Sequence, residues 1–597
     1  MKTLIVSSTR ENWARTARFA NIALNYELKV EWALEAFRQP SRVKTEKTNY
    51  AAGTYLIILD NVDAHSSAKI LDIAQTLEIR TEVIRGSISC KKTKLTSARV
   101  CIYADAGSPY PFVSALSESG FDLDPITADQ IRKGRLSEFD VLIIPGGGDE
   151  GPPRQSELLG EKGRSKIRKF LIGGGSVWGS CAGCCNLILY AEDKSPWAVN
   201  YEDWKEMRSL NVINSEYWDT GMTGVGKLKV SNLRRDHPLM FGLPNEFELT
   251  WHLGPLLSLA RAPYVRRASK PIPLIQAKGF TSEWTAAEYL NSPNGQDFSK
   301  ALERTYAGRG IKADKYGLIA GYYGRGKVVA CAAHPEFGLD PLLERRGVAA
   351  RTLPNFLFWA TSGKSAKSIV RRVRKRSGSY EHDRACTLPM RSIIGTIEQD
   401  TDSLLRESTL FTEPIWLSDK TAASTFGLTA AQKWRLILRR MSELPSEIKD
   451  EADELDSTVD KLNSEIDSLL KKLKQADQKS RKTKIDTVRN SRLLEQEVHK
   501  IFEWVQYVPG AEQDYGWQGA LALLASASRK IRKSVENYGL EPTAHSIWKN
   551  PYDLIWDYYL GALFDLMNAK CLLRARRTLA VDKLVQVNSS FSCKGPN

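Results

Sequence analysis

Gly179-Ser180-Cys181-Ala182-Gly183 constrains this chain more than any other stretch. It follows Gly173-Gly174-Gly175-Ser176-Val177-Trp178, which reads as a glycine turn and a short apolar strand. Behind it, Cys184-Cys185-Asn186-Leu187-Ile188-Leu189 reads as a helix. A Gly-x-Cys-x-Gly between strand and helix is a nucleophile elbow. The cysteine must sit on a sharp turn in an unfavourable backbone region, and neighbouring Cβ atoms would clash there, so glycine flanks it. The helix start behind Cys181 offers N–H groups and a positive dipole end, and both favour thiolate over thiol.

The segments on either side have the order such an elbow needs. Residues 99–103 read as a strand, 106–109 as a loop, 111–119 as a helix and 121–126 as a second strand. A third strand, 139–144, ends in Pro145-Gly146-Gly147-Gly148-Asp149-Glu150-Gly151, and the helix 164–172 leads to the elbow. Strand, glycine loop, helix, strand and elbow make a doubly wound, flavodoxin-like α/β order, with both special loops at one sheet edge. Residues 191–315 are less regular. Strands return at 316–320 and 326–332, the latter running into Ala333-His334-Pro335-Glu336, and 353–360 reads as a closing helix.

A cysteine nucleophile needs a base, and the base needs an orienting group. The chain has seven histidines. His334 ends an apolar strand, and Glu336 stands two residues on, within reach of the imidazole. Cys181, His334 and Glu336 are thus the candidate catalytic residues. The amide of Ala182 is one natural oxyanion donor and Gly147 a second, with Gly146 or Gly148 as register alternatives. Gly146, Gly148 and Asp149 are candidate substrate-binding positions. His237 and His252 lack an acid two residues on and read as structural or pocket-lining. Cys184 and Cys185 could form a redox pair or metal site with Cys181, but no second Cys or His pair at metal spacing accompanies them. No metal and no cofactor is expected.

Taken together, Pro145-Gly146-Gly147, Gly179-Ser180-Cys181-Ala182-Gly183 and His334-Pro335-Glu336 resemble the class I glutamine amidotransferase family. The closest likeness is to the amidotransferase-like N-terminal domain of eukaryotic biotin–protein ligases. It rests on Pro145-Gly146-Gly147-Gly148-Asp149, the helix before Gly173-Gly174, Cys181-Ala182-Gly183, His237-Pro238 with Gly242, and Gly254-Pro255. The resemblance covers residues 97–362 and includes no ligase domain. It implies hydrolysis of glutamine to glutamate and ammonia through a thioester, with Cys181 attacking, His334 moving the proton and Glu336 holding the imidazole.

At 597 residues the chain exceeds one core, so several domains are expected. Residues 1–94 read as a small α/β (Rossmann-like) domain. A strand at 3–7, helical spacing over 12–37, a strand at 55–60, a helix at 67–77 and a strand at 80–84 suggest a parallel sheet. In such a sheet Ser7-Ser8-Thr9 and Asp60 would share a pocket, although a docking domain without chemistry is the plainer reading. The amidotransferase-like domain spans 95–362, a basic linker 363–391, and a helical domain with coiled coil 392–597. The linker holds much of the net charge of +15, with seven basic residues and no acid between Thr361 and Tyr380. Arg371, Arg372 and Arg374 are candidate nucleic-acid contacts. Leu455, Val459, Leu462, Ile466, Leu469 and Leu473 alternate steps of four and three, extended back by Ile448 and Ala452, which is a heptad seam. Nine cysteines, an odd number, with three crowded at the elbow, point to free thiols in a reducing cytoplasm. The chain opens directly on a strand, without a signal-peptide pattern, and no apolar run approaches the ~20 residues of a membrane helix.

Two functions fit. One is a cysteine-dependent amide hydrolase acting on a small amide such as glutamine, inside an assembly built through 392–597, either a homo-oligomer or a complex with other partners. The other is a non-catalytic ligand sensor or scaffold that oligomerises through its helices and contacts nucleic acid in a bacterial defence or stress complex.

Overall fold

Strand and helix patterns alternate from the first residues to residue 361, and in the computed structural model they form two main sheets. The structure describes residues 2–40, 47–60, 62, 64–146, 151–189, 209–218, 225–252, 255–260, 265–280, 314–337, 347–363, 387–408, 430–475, 517–538 and 561–590. The first unit contains β1 (Lys2–Val6), α1 (Trp13–Asn25), β2 (Lys29–Ala33), β3 (Phe37–Pro40), β4 (Lys47–Tyr50), β5 (Tyr55–Ile58), α2 (Ala64–Thr76), β6 (Thr81–Arg85) and β7 (Lys92–Lys94). Its main sheet has the order β6-β1-β5-β2-β7, and every neighbouring pair is antiparallel.

This corrects the parallel, Rossmann-like expectation. β1 and β2 each pair antiparallel with β5, so they run parallel to one another with β5 between them. The helical crossover β1-α1-β2 does join parallel strands, in the manner of a split βαβ unit. Local pattern cannot reveal which strand inserts between them. The helical spacing over 12–37 is also corrected. The helix ends at Asn25, Glu27 turns the chain with φ 59°, and Val30 and Trp32 continue as a buried strand. Alternating strand directions also separate the expected pocket. Asp60 lies at the Lys2 end of β1, where its Oδ1 accepts the Lys2 N–H at 2.6 Å, while Ser7-Ser8-Thr9 leave the opposite end.

The second unit contains β8 (Val100–Tyr103), α3 (Tyr110–Ser117), β9 (Leu123–Ile126), α4 (Ala128–Arg132), β10 (Val141–Ile144), α5 (Gly151–Ile172), β11 (Ser176–Ser180), α6 (Ala182–Cys185), β12 (Ser215–Trp218), β13 (Val225–Asn232), β14 (Glu246–His252), β15 (Leu256–Leu259), β16 (Ile272–Phe280), β17 (Tyr316–Tyr323), β18 (Gly326–Cys331) and α7 (Thr352–Thr361). The strands β9-β8-β10-β11-β18 are parallel neighbours. Counted among these five parallel strands alone this is 2-1-3-4-5, the flavodoxin-like doubly wound order. β8, β10 and β11 are buried along their whole length, as strands covered by helices on both faces should be. α4 starts on a capping box between Thr127 and Gln130, and α5 is broken at Gly160.

Beyond β18 the sheet turns antiparallel, through β17, β16, β13 and β14, with β12 and β15 attached at the side. The stretch 191–315, irregular by sequence, therefore supplies five strands. Segments of three to thirteen residues, several with glycine or proline, separate these strands and break the period-2 signal.

The remaining described residues are helical: α8 (Thr387–Ser408), α9 (Ala430–Gln475), α10 (Trp517–Tyr538) and α11 (Gly561–Ser590). α8 begins inside the expected linker 363–391. α9 packs on α8 and α11, and α10 on the same two helices, which closes a ring of four. The seam residues Ile448, Leu455, Val459 and Leu462 are buried there, so this part of the heptad pattern is covered by helices of the same chain. Ion pairs Lys570–Glu447 and Arg574–Glu451 join α11 to α9. α11 also rests on α3, and its Asp582 receives Arg18 Nε of α1 at 2.7 Å. No helix among the described residues is long and apolar enough to cross a membrane.

Leu455 is fully buried in this ring, and truncating such a leucine leaves a cavity worth about 2–4 kcal/mol. Leu455→Ala is expected to lower the urea midpoint of the helical circular-dichroism signal, with Leu455→Met close to wild type.

Candidate active site

The elbow has the geometry its glycines imply. Cys181 sits between β11 and α6 with φ 48° and ψ −115°, a region that costs a non-glycine residue about 1–3 kcal/mol. Neighbouring hydrogen bonds hold it there. Its N–H donates to the Cys331 carbonyl at 2.8 Å, and its carbonyl accepts from Cys184 and Cys185 N–H at 3.0 and 3.2 Å. The flanking glycines are required by close backbone approach. A Cβ on Gly179 would lie 2.5 Å from the Gly183 carbonyl oxygen, and one on Gly183 would overlap the Ile144 carbonyl.

β11 and β18 pair in parallel with Ser180 opposite Cys331, so the chain leaving β18 passes beside the elbow. Three residues on, His334 is fixed by its N–H to the Thr250 carbonyl of β14, at 2.8 Å. His334 Nδ1 and Glu336 Oε1 are 2.8 Å apart, and both side chains are 1% exposed. Phe337 stacks on the imidazole with centroids 4.4 Å apart and 3° between planes. Burial opposes a charged imidazole, but Cys181 and Glu336 facing the ring outweigh it and raise His334 from 6.5 to about 10. The Cys181 side chain lies beside the same ring, on the other side of Gly146. The structure thus brings Cys181, His334 and Glu336 together as a contiguous chain of side chains.

Gly146 closes the arrangement. A Cβ there would stand 2.5 Å from Cys181 Cβ, 2.8 Å from His334 Cε1 and 2.9 Å from the Ser180 carbonyl oxygen. Its own carbonyl accepts from Ser108 N–H at 2.7 Å, which ties the β10 loop to the β8 loop. Buried Gln155 donates to the Pro145 carbonyl at 2.9 Å and accepts from Asn186 Nδ2 at 2.8 Å, which ties α5 to the start of the elbow helix. Ala182 is the first residue of α6, where a backbone N–H has no acceptor within the helix. Gly147, Gly148 and Asp149 lie outside the described residues, as do Arg371, Arg372 and Arg374.

Other candidates separate from the site. His237 caps a short 3₁₀ turn through Nδ1 and packs edge-on against Trp359, and burial lowers it to about 4. The side chain of His252 is outside the described residues. Burial pushes the thiols of Cys184 and Cys331 up, which keeps them protonated. Among the described residues no group of three or more His, Cys, Asp or Glu could hold a metal ion, and no two cysteines form a disulfide. Sequence reasoning missed Ser180, Trp178, Gln155, Asn186 and Phe337. Only Ser180 and Phe337 carried a signal, as immediate neighbours of Cys181 and Glu336.

The chain therefore carries a doubly wound α/β unit with a buried cysteine–histidine–glutamate arrangement at its strand ends. No protein-family model matches it, and no curated protein does. Similar solved structures include PurLQS from Thermotoga maritima, at TM-score 0.27 and 13% identity over 44% of this chain and 98% of that one. A glutamine amidotransferase from the same organism scores 0.26 at 13% identity, over 44% and 98%. A ThuA-like protein from Bacteroides uniformis scores 0.26 at 12% identity, over 44% and 90%.

The crowding at Gly146 has a direct consequence. Gly146→Ala is expected to push the Cys181 and His334 side chains apart and to slow iodoacetamide alkylation of Cys181 about tenfold or more. An alkylation rate equal to wild type, followed by peptide mass spectrometry, would refute this packing.

Proposed function

We propose that the unit spanning 95–362 is a cysteine-dependent amide hydrolase of the class I glutamine amidotransferase type, acting on the side-chain amide of glutamine. One observation carries this reading: the strained Cys181 faces an imidazole whose other side is held by Glu336 at 2.8 Å. A nucleophile, a base and an orienting carboxylate in that order make an acyl-transfer site. Within this type, the sequence motifs favour the amidotransferase-like domain of biotin–protein ligases.

In the proposed reaction the Cys181 sulfur attacks the amide carbon, and negative charge moves to the carbonyl oxygen. The Ala182 N–H, with Gly147 N–H as the second donor, would receive that oxyanion. The His334 imidazolium gives its proton to the departing nitrogen, the C–N bond breaks, and ammonia leaves a thioester on Cys181. Water then attacks the thioester carbon and loses a proton to His334. The C–S bond breaks, and glutamate is released with the thiolate–imidazolium pair restored. Glu336 stays ionised throughout and holds the ring.

Three measurements bear on this. Ammonia release from glutamine should be abolished in Cys181→Ala with the fold intact. Its pH profile should fall on the alkaline side near pH 10, because His334 must be protonated to serve the leaving nitrogen and its raised value keeps that proton up to about 10. Glu336→Gln should move this limb to lower pH, since it removes a negative charge that favours imidazolium. Absence of ammonia, together with no thioester or glutamine-analogue adduct on Cys181, would sink the proposal.

A further inference from the structure

Glu336 has two carboxylate oxygens, and the proposed reaction uses only one. Oε1 meets His334 Nδ1 at 2.8 Å. Oε2 lies 3.4 Å from Ser180 Oγ, and that same Oγ receives Trp178 Nε1 at 2.8 Å. Trp178, Ser180, Glu336 and His334 are all buried. Trp178 and Ser180 stand two residues apart on β11, so they share a face of the strand. The Trp178 ring is set in turn by Phe356 of α7, with centroids 5.3 Å apart.

The direction of each proton follows from what these groups can donate. An indole N–H only donates, so Ser180 Oγ accepts from Trp178. Its own hydroxyl proton is left for Glu336 Oε2. An ionised carboxylate can accept at both oxygens, and with an Nδ1–H form of His334 at Oε1 and the Ser180 hydroxyl at Oε2 both are met. The remaining ring nitrogen is then the one available to Cys181. A strand residue that only filled space would need no hydroxyl: alanine has nearly the same volume.

We infer that Ser180, backed by Trp178, is a positioning residue that keeps Glu336 an ionised acceptor and so sets the proton arrangement of His334. The inference rests on the cysteine–histidine–glutamate reading, but its test needs no substrate. Iodoacetamide alkylation of Cys181 is followed against pH in the full chain, by peptide mass spectrometry, with Cys181→Ser as the blank. In Ser180→Ala the acid limb of the profile should move up by about half a pH unit or more, because the carboxylate loses a donor that favours its charged form. Trp178→Phe should move it the same way by less. Combined with Glu336→Gln, Ser180→Ala should add no further shift, since it acts through the carboxylate.

An unmoved limb in folded Ser180→Ala, or full additivity in the double variant, overturns the inference. If Ser180→Ala shows no cooperative melting transition, Trp178→Phe decides: an unmoved limb there overturns it equally. Ammonia release is scored separately. A wild type that is alkylated but releases no ammonia removes the glutamine reading and leaves the Ser180 result to stand or fall on its own limb.

Discussion

Backbone meets backbone at the ends of three adjacent strands, and the rest of the site depends on that contact. Gly179 and Gly183 press against each other across the elbow, Gly183 presses on the Ile144 carbonyl, and Gly146 lies against Cys181 and His334. Interiors are packed to the density of organic crystals, so even one methyl group at these points must displace something. With glycine there, the ends of β10, β11 and β18 converge closely enough for Cys181 to touch a histidine 153 residues later, 334 minus 181. The unfavourable backbone of Cys181 persists because hydrogen bonds from both sides hold it.

The electrostatics follow from the same enclosure. A buried imidazole is pushed toward its neutral form unless negative charge faces it. His237 and His334 show both outcomes in one chain. Burial dominates at His237 and lowers it to about 4, whereas Cys181 and Glu336 overcome burial at His334 and raise it to about 10. Each is a histidine followed by proline. The difference lies in the side chains that the fold brings to face them.

Legibility in the sequence tracked how local each signal is. The strands around 99–103, 139–144 and 326–332 were readable because parallel strands buried on both faces are short continuous apolar runs. The glycines of the elbow are readable because one of their contacts, Gly179 against Gly183, is made within five residues. The helical spacing over 12–37 runs past the true helix end at Asn25 because Glu27 turns the chain without a glycine or proline to mark it. The first sheet departs from the parallel expectation because β5 arrives between β1 and β2 from a distance, with nothing local to announce it. Strands β12 to β16 are hidden by the irregular segments between them, and the heptad seam, read as a means of assembly, finds part of its cover in α11 of its own chain.

The sequence by itself determined the elements that short-range sterics control: the elbow, the glycine loop, the alternation of strand and helix, and the spacing of His334 and Glu336. Only the tertiary structure decided which strands are neighbours, that Cys181 donates to Cys331 across β11 and β18, and that Trp178 and Ser180 stand behind Glu336. The reason is physical. Backbone strain and side-chain period are properties of a few consecutive residues, whereas strand order depends on which apolar faces cover one another, and that is settled by the whole chain at once.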